Sequence, residues 1–138
     1  MSRRRILVAE DQTLIRLDLE RLLDAAGYVV CGLACNGEEV VRLASERQPD
    51  LALLDVNMPP LDGLEAARQI LAERSVPIVM LTAYGYGEVI SRAIDAGVAG
   101  FVVKPFKESE LLEALRAAEL AHASASGLRS LVRRWPDG

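Results

Sequence analysis

The chain has 138 residues, 51% of them hydrophobic and 26% charged, with a formal net charge of -4. That is the size of one domain with a real core, and the composition of a globular chain rather than a disordered one. The acidic balance argues against broad electrostatic contact with nucleic acid, and no apolar run approaches the roughly 20 residues of a membrane helix. The basic start Met1-Ser-Arg-Arg-Arg5 precedes an apolar run, Ile6 to Ala9, that is too short for a signal sequence, so a cytoplasmic location is expected. Cys31 and Cys35 are four apart in a β-rich run, too far for a disulfide without a bend, and are expected to be small buried side chains. His122 is the only histidine, which excludes a multi-histidine metal site and disfavours a histidine-based triad.

In chain order, Ile6-Leu-Val-Ala9 reads as a strand ending in Glu10-Asp11. Thr13 is expected to cap a helix reaching about Ala26, with Leu14, Leu17, Leu22 and Leu23 near helical spacing and Gly27 as its stop. Tyr28 to Ala34 is a second strand, Asn36-Gly37 a turn, and Glu38 to Arg47 a helix with Val40, Leu43 and Ala44 inward. Leu51 to Leu54 is an apolar run ending at Asp55, followed by Pro59-Pro60 and Asp62-Gly63. A third helix runs from Leu64 to about Glu73, and a fourth strand from Val76 to Leu81 ends in Thr82. A weaker helix spans Gly85 to Ala96, and a fifth strand, Val98 to Val103, ends in Lys104-Pro105. The last helix, Glu108 to about Ala123, turns Leu111, Leu112, Leu115 and Ala118 inward.

Five β-α units with apolar strands imply an α/β fold: a doubly wound (βα)5 parallel sheet covered on both faces. Right-handed crossovers make 2-1-3-4-5 the leading strand order. Parallel strands then bring Glu10, Asp11, Asp55, Thr82 and Lys104 to one edge, where ligands bind in such sheets. Each residue alone has an ordinary explanation. Asp55 could be a turn acid, Thr82 a solvated strand end, Lys104 a surface lysine, and Glu10-Asp11 acids at a helix start. Together they form a chemical set. Three crowded carboxylates call for a hard divalent cation, a lysine can grip a phosphoryl oxygen, and a threonine hydroxyl can donate to another. A carboxylate nucleophile can form an acyl phosphate, and no glycine-rich nucleotide loop is present, so phosphoryl transfer from a non-nucleotide donor is expected.

Val8-Ala-Glu-Asp11, Leu53-Leu-Asp-Val-Asn-Met-Pro59 with Asp62-Gly63, Leu81-Thr-Ala83, and Ala96 to Phe106 resemble the signature segments of response-regulator receiver domains, over about residues 4 to 123. The resemblance implies a flavodoxin-like receiver fold in which Asp55 takes a phosphoryl group from a sensor histidine kinase or histidine phosphotransfer protein. It implies Mg2+, with Mn2+ as a substitute, held by Glu10, Asp11, Asp55 and the main-chain carbonyl of Asn57. Thr82 and Lys104 would act in the phosphoryl site, Thr82 and Phe101 would form the switch pair, and Asn57 and Tyr84 would tune hydrolysis. The Lys104-Pro105 bond would be cis. The protein would be no enzyme beyond its own phosphorylation and dephosphorylation. The residue 86–123 face would meet a partner or a second copy. Two departures stand out: Glu10 where many members have Asp, and Phe101 where many have Tyr.

Residues 1–123 are thus expected to form the receiver, with 124–138 a linker and short tail. Ser124 to Gly127 would weaken the helix, and Leu128, Leu131, Val132 and Trp135 then repeat as one amphipathic turn set, a second candidate for homodimer contact. The segment Val8 to Arg16 resembles regulators bearing an RNA-binding antiterminator module, whose further helices are not in this chain, so no nucleic-acid binding is expected; a truncated regulator of that type is an alternative. A phosphohydrolase of the haloacid-dehalogenase type is the rival from another class. Its nucleophile lies on the first strand as Asp-x-Asp, whereas here the acid pair precedes Asp55 and Asn57 replaces the second acid. A flavin module of the same topology would need a Ser/Thr-rich loop after the first strand.

Overall fold

The computed structural model describes residues 4–59, 61–83 and 87–134, with side chains as far as residue 123. The elements alternate as expected: β1 (Arg5–Ala9), α1 (Thr13–Ala25), β2 (Val29–Ala34), α2 (Gly37–Arg47), β3 (Leu51–Asp55), α3 (Gly63–Glu73), β4 (Ile78–Thr82), α4 (Gly87–Ala96), β5 (Gly100–Val103) and α5 (Glu108–Arg134). The strands form one sheet in the order β2-β1-β3-β4-β5, all pairs parallel. Both β3 and β4 are buried at every residue, because helices cover both faces. Alternation sorts their side chains. Leu7, Ala52, Leu54, Ile78 and Met80 pack under α2 and α3, while Ile6, Val8, Leu51, Leu53 and Leu81 pack under α1 and α5.

Several local expectations change. Gln12, not Thr13, is the N-cap of α1, and it makes no side-chain capping bond. Leu14 and Leu17 point outward at 78% and 39% exposure; Leu19 and Leu23 are buried, with Ile15 and Leu22 packed beside them. That stripe runs 15, 19, 22, 23, and Leu14 and Leu17 lie outside it. Strands β4 and β5 start later than the apolar runs suggest, at Ile78 and Gly100. Pro77 has no N–H to donate to a ladder. Cys35 lies past the end of β2 and is exposed, and Cys31 is half-buried; both are free thiols. The Ser124–Gly127 stretch does not break the last helix, whose backbone continues to Arg134. One glycine in a helix costs only about 1 kcal/mol relative to alanine, and the strong helix formers Leu128 and Arg129 follow this one. The side chains of Leu128, Leu131 and Val132, and all of Trp135, lie outside the described residues.

The loops after β2 and β3 are built from local polar bonds. Asn36 caps α2 by accepting from the Glu39 N–H at 2.8 Å, while the Glu39 carboxylate accepts from the Cys35 N–H at 2.9 Å, a reciprocal arrangement like a capping box. Asp62 caps α3 by accepting from the Glu65 N–H at 2.8 Å. Gly63 then donates to the Val56 carbonyl at 2.8 Å, folding the loop back against the end of β3. A Cβ on Gly63 would lie 1.9 Å from the carbonyl oxygen of Asp55. That neighbour is backbone and cannot swing aside. Gly63→Ala is therefore expected to lower stability by about 1–3 kcal/mol, the usual cost of overpacking, read as a lower urea midpoint at unchanged slope. An unchanged midpoint would show that the loop yields freely.

Candidate functional site

The four strand ends meet as the strand order requires. Ala9 pairs with Leu54, so Glu10 follows β1 directly beside Asp55, and Asp55 pairs with Leu81, one residue before Thr82. Thr82 pairs with Val103, one residue before Lys104, and the Lys104 N–H donates to the Thr82 carbonyl at 2.7 Å. The Lys104-Pro105 bond is cis. An open cleft of about 520 Å³ lies over this edge, lined by Asp11, Gln12, Asp55, Asn57, Thr82 and Lys104 among others.

Four ionisable groups set the electrostatics. Carboxylate oxygens of Glu10, Asp11 and Asp55 all lie within 4.8 Å of one another. Glu10 is fully buried, Asp55 is 5% exposed and Asp11 is open to solvent. The Lys104 ammonium donates to Asp55 Oδ2 at 2.7 Å and to Glu10 Oε1 at 3.1 Å. Burial first, then the hydrogen bond with Asp55 and that acid's charge, push the Glu10 carboxyl up, and against the opposing Lys104 they leave it at about 8. The protonated form of Glu10 is therefore favoured over that of a free carboxyl when no cation is bound, and Lys104 pairs with both acids, closer to Asp55 than to Glu10. Burial works to lower the Lys104 ammonium as well, but the bonds and charges of Asp55 and Glu10 outweigh it and leave it raised.

The second oxygen of Asp55, Oδ1, accepts from the Asn57 N–H at 3.0 Å. The Asp55 carboxyl is thus held at both oxygens yet lines the open cleft. Three oxygen-donor acids around one point, with no thiolate or imidazole among them, fit a hard divalent cation such as Mg2+. Thr82 is buried at the end of β4. Phe101 pairs with Met80 on β5, stands 37% exposed, and is not among the residues lining the cleft, so it is neither ordinary core nor part of this first constellation. Tyr84 lies outside the described residues.

Two contacts of the site were not read from the sequence, although Asp62-Gly63 stands among the signature segments. Gly63 packs against the Asp55 carbonyl, and only the chain path reveals that contact. Arg16 donates through Nη1 to the Glu10 carbonyl at 2.7 Å. Its signal was weak but present: a long cation on the first turns of a helix can point back to the helix start.

A family model described as the response regulator receiver domain matches residues 6–116. The chain is 46% identical over 115 residues to the transcriptional regulatory protein PdtaR of Mycobacterium tuberculosis, an alignment covering 83% of this chain and 56% of that protein. It is 35% identical over 113 residues to the chemotaxis protein CheY of Thermotoga maritima, covering 81% of this chain and 94% of that one. The chain thus spans about half the length of PdtaR but nearly all of CheY. Among solved structures, the receiver domain of a modulated diguanylate cyclase from Desulfovibrio desulfuricans superposes with a TM-score of 0.81 at 31% identity, over 90% of this chain and 99% of that one. CheY4 of Vibrio cholerae superposes with a TM-score of 0.80 at 30% identity, over 85% and 99%.

Proposed function

Since the chain belongs to the response regulator receiver domain family of two-component signalling, we propose that Asp55 is its phosphoryl acceptor. The observation that carries this is the Asp55 carboxyl, fixed by Lys104 at 2.7 Å and by the Asn57 N–H at 3.0 Å, beside two further acids and lining an open cleft. An Asp55 oxygen attacks the phosphorus of a phosphohistidine on a sensor kinase or phosphotransfer protein. The P–O bond forms, the P–N bond breaks, and the imidazole leaves with a proton from solvent. Asp55 becomes an acyl phosphate. Lys104 moves from the carboxylate to a phosphoryl oxygen, and the Thr82 hydroxyl donates to another. Glu10, Asp11, Asp55 and the Asn57 carbonyl would hold Mg2+, or Mn2+ in its place, which neutralises charge on the phosphoryl oxygens when bound. Asn57 and Tyr84 tune the lifetime of the phosphoryl group.

The switch follows from the same geometry. Thr82 at the end of β4 and Phe101 on β5 are on neighbouring strands, so a shift of Thr82 toward the phosphoryl group frees space for the exposed ring to turn inward. Besides Phe101, the elements after residue 86 carry other exposed apolar residues, Ile94 on α4, Val103 on β5 and Leu120 on α5. A face of that kind suits a protein partner or a second copy. The protein acts as a signalling receiver whose chemistry is confined to its own aspartyl phosphate, without contact to nucleic acid. No helix among the described residues is long and apolar enough to cross a membrane.

The test is incubation with acetyl phosphate, with and without Mg2+, followed by intact-mass and hydroxylamine analysis. One phosphoryl group per chain is expected, only with Mg2+, and removable by hydroxylamine as an acyl phosphate. Sedimentation of the same sample reads the homodimer. Labelling without Mg2+, hydroxylamine-stable label, or steady turnover of added phosphate monoesters, as a haloacid-dehalogenase-type hydrolase would give, overturns the assignment.

A further inference from the structure

We infer that Arg16 is a positioning residue for the cation-binding acids; the inference rests on the receiver chemistry proposed above. Arg16 is in the second turn of α1, and its side chain runs back over the helix start. Nη1 donates to the Glu10 carbonyl at 2.7 Å, and Nη2 reaches Thr13 Oγ1 at 3.5 Å. The Glu10 carbonyl and the Asp11 N–H are the two polar ends of a single planar peptide unit. The N–H end donates to Glu10 Oε2 at 3.1 Å. The peptide that joins two of the three acids is therefore held at both ends, by Arg16 at one and by the Glu10 carboxylate at the other. The preceding N–H, that of Glu10, donates to the Ala34 carbonyl on β2 at 3.0 Å.

This clamp decides where two ligands point. If the peptide plane turned, the Asp11 N–H would leave Glu10 Oε2. The Glu10 carboxylate would lose one of the two bonds that orient it, keeping only that from Lys104 to Oε1, and Asp11 would swing with its own backbone. Strand β1 ends at Ala9 and α1 begins at Thr13, so no ladder or helix bond fixes the peptide in between. Arg16 supplies that restraint from the first secondary structure on the far side. Outer partners of this kind hold ligands in a binding geometry that the ligands alone do not keep.

Charge and position make opposite predictions here. A guanidinium beside three carboxylates repels a divalent cation, so removing it tightens binding if charge is all that matters. If Arg16 positions the acids, removing it weakens binding. Calorimetric titration of Mg2+ into the full chain, wild type, Arg16→Met and Arg16→Lys, separates the two. Arg16→Met is expected to bind Mg2+ about 10-fold more weakly, at the lower end of the loss seen for outer-shell partners. Its Asp11 amide should exchange faster with solvent by NMR, and Arg16→Lys, with one ammonium donor, should recover part of both effects. Unchanged or tighter Mg2+ binding in Arg16→Met overturns the inference. Should Arg16→Met fail to fold by circular dichroism, Arg16→Gln, neutral and too short to reach the carbonyl, is judged by the same criterion. Wild-type protein that binds no Mg2+ overturns the receiver chemistry itself, which is a different result from a wild type and variant that bind alike.

Discussion

Asp55→Asn is expected to reduce phosphoryl labelling by acetyl phosphate to background while leaving the domain folded. Asparagine has nearly the shape of aspartate, so β3 and its contacts with the Gly63 loop need not move. Its amide oxygen is a poor nucleophile, so no acyl phosphate forms. The substitution also reaches Glu10. After burial, the hydrogen bond and charge of Asp55 are the next causes that push Glu10 upward, and Lys104 is the cause that opposes them. With Asp55 neutralised, the Lys104 ammonium has one acid partner left. Glu10 should then lose its proton at a lower pH than in the wild type, readable from the carboxyl carbon shift in NMR. Label persisting in Asp55→Asn would place the acceptor elsewhere, and an unmoved Glu10 titration would show that burial alone governs it.

Mg2+ affinity should rise steeply between pH 6 and pH 8. A cation needs Glu10 ionised, while the cation-free site holds the Glu10 proton up to about pH 8. Simple competition for that carboxylate weakens apparent binding by roughly fifty-fold at pH 6 relative to pH 8. The stability of the cation-free protein moves the other way. A carboxyl whose folded value is raised from 4.5 to about 8 gives the folded state more bound protons than the unfolded chain. Its contribution is complete below pH 4.5 and is lost as pH rises through about 8. The melting temperature without Mg2+ should therefore fall across that window, and the gain on adding Mg2+ should grow. Glu10→Gln, which stays neutral, should flatten both curves. A wild-type Mg2+ affinity that does not change over this range would mean that Glu10 binds only through water and need not ionise.

Most of the architecture was legible in the chain. Four of the five strands are apolar runs closed by a polar residue, and alternation of strands with helices leaves few topologies, so the convergence of Glu10, Asp11, Asp55, Thr82 and Lys104 follows from the sequence. The inward stripe of α1 was misjudged because leucines stand on two sides of that helix. Leu14 and Leu17 have the hydrophobicity of core residues, and only the position of α1 against the sheet turns Leu19 inward in their place. The helix α5 persists past Ala123 because Ala125 before Gly127 and Leu128 and Arg129 after it are good helix formers, which offset the serines and the glycine of a linker-like stretch.

The amino-acid sequence by itself determined the strand order, the edge at which the acids meet and the kind of chemistry they can perform, because periodicity and crossover handedness are local or nearly so. The tertiary structure alone decided which groups hold which. That Lys104 lies closer to Asp55 than to Glu10, that the Glu10 carboxyl is pushed up, that Gly63 touches the Asp55 carbonyl and that Arg16 grips the Glu10–Asp11 peptide all depend on distances between side chains and backbone from separate elements. Such distances, and the water excluded around them, are set by packing of the whole sheet and its helices, and no spacing along the chain encodes them.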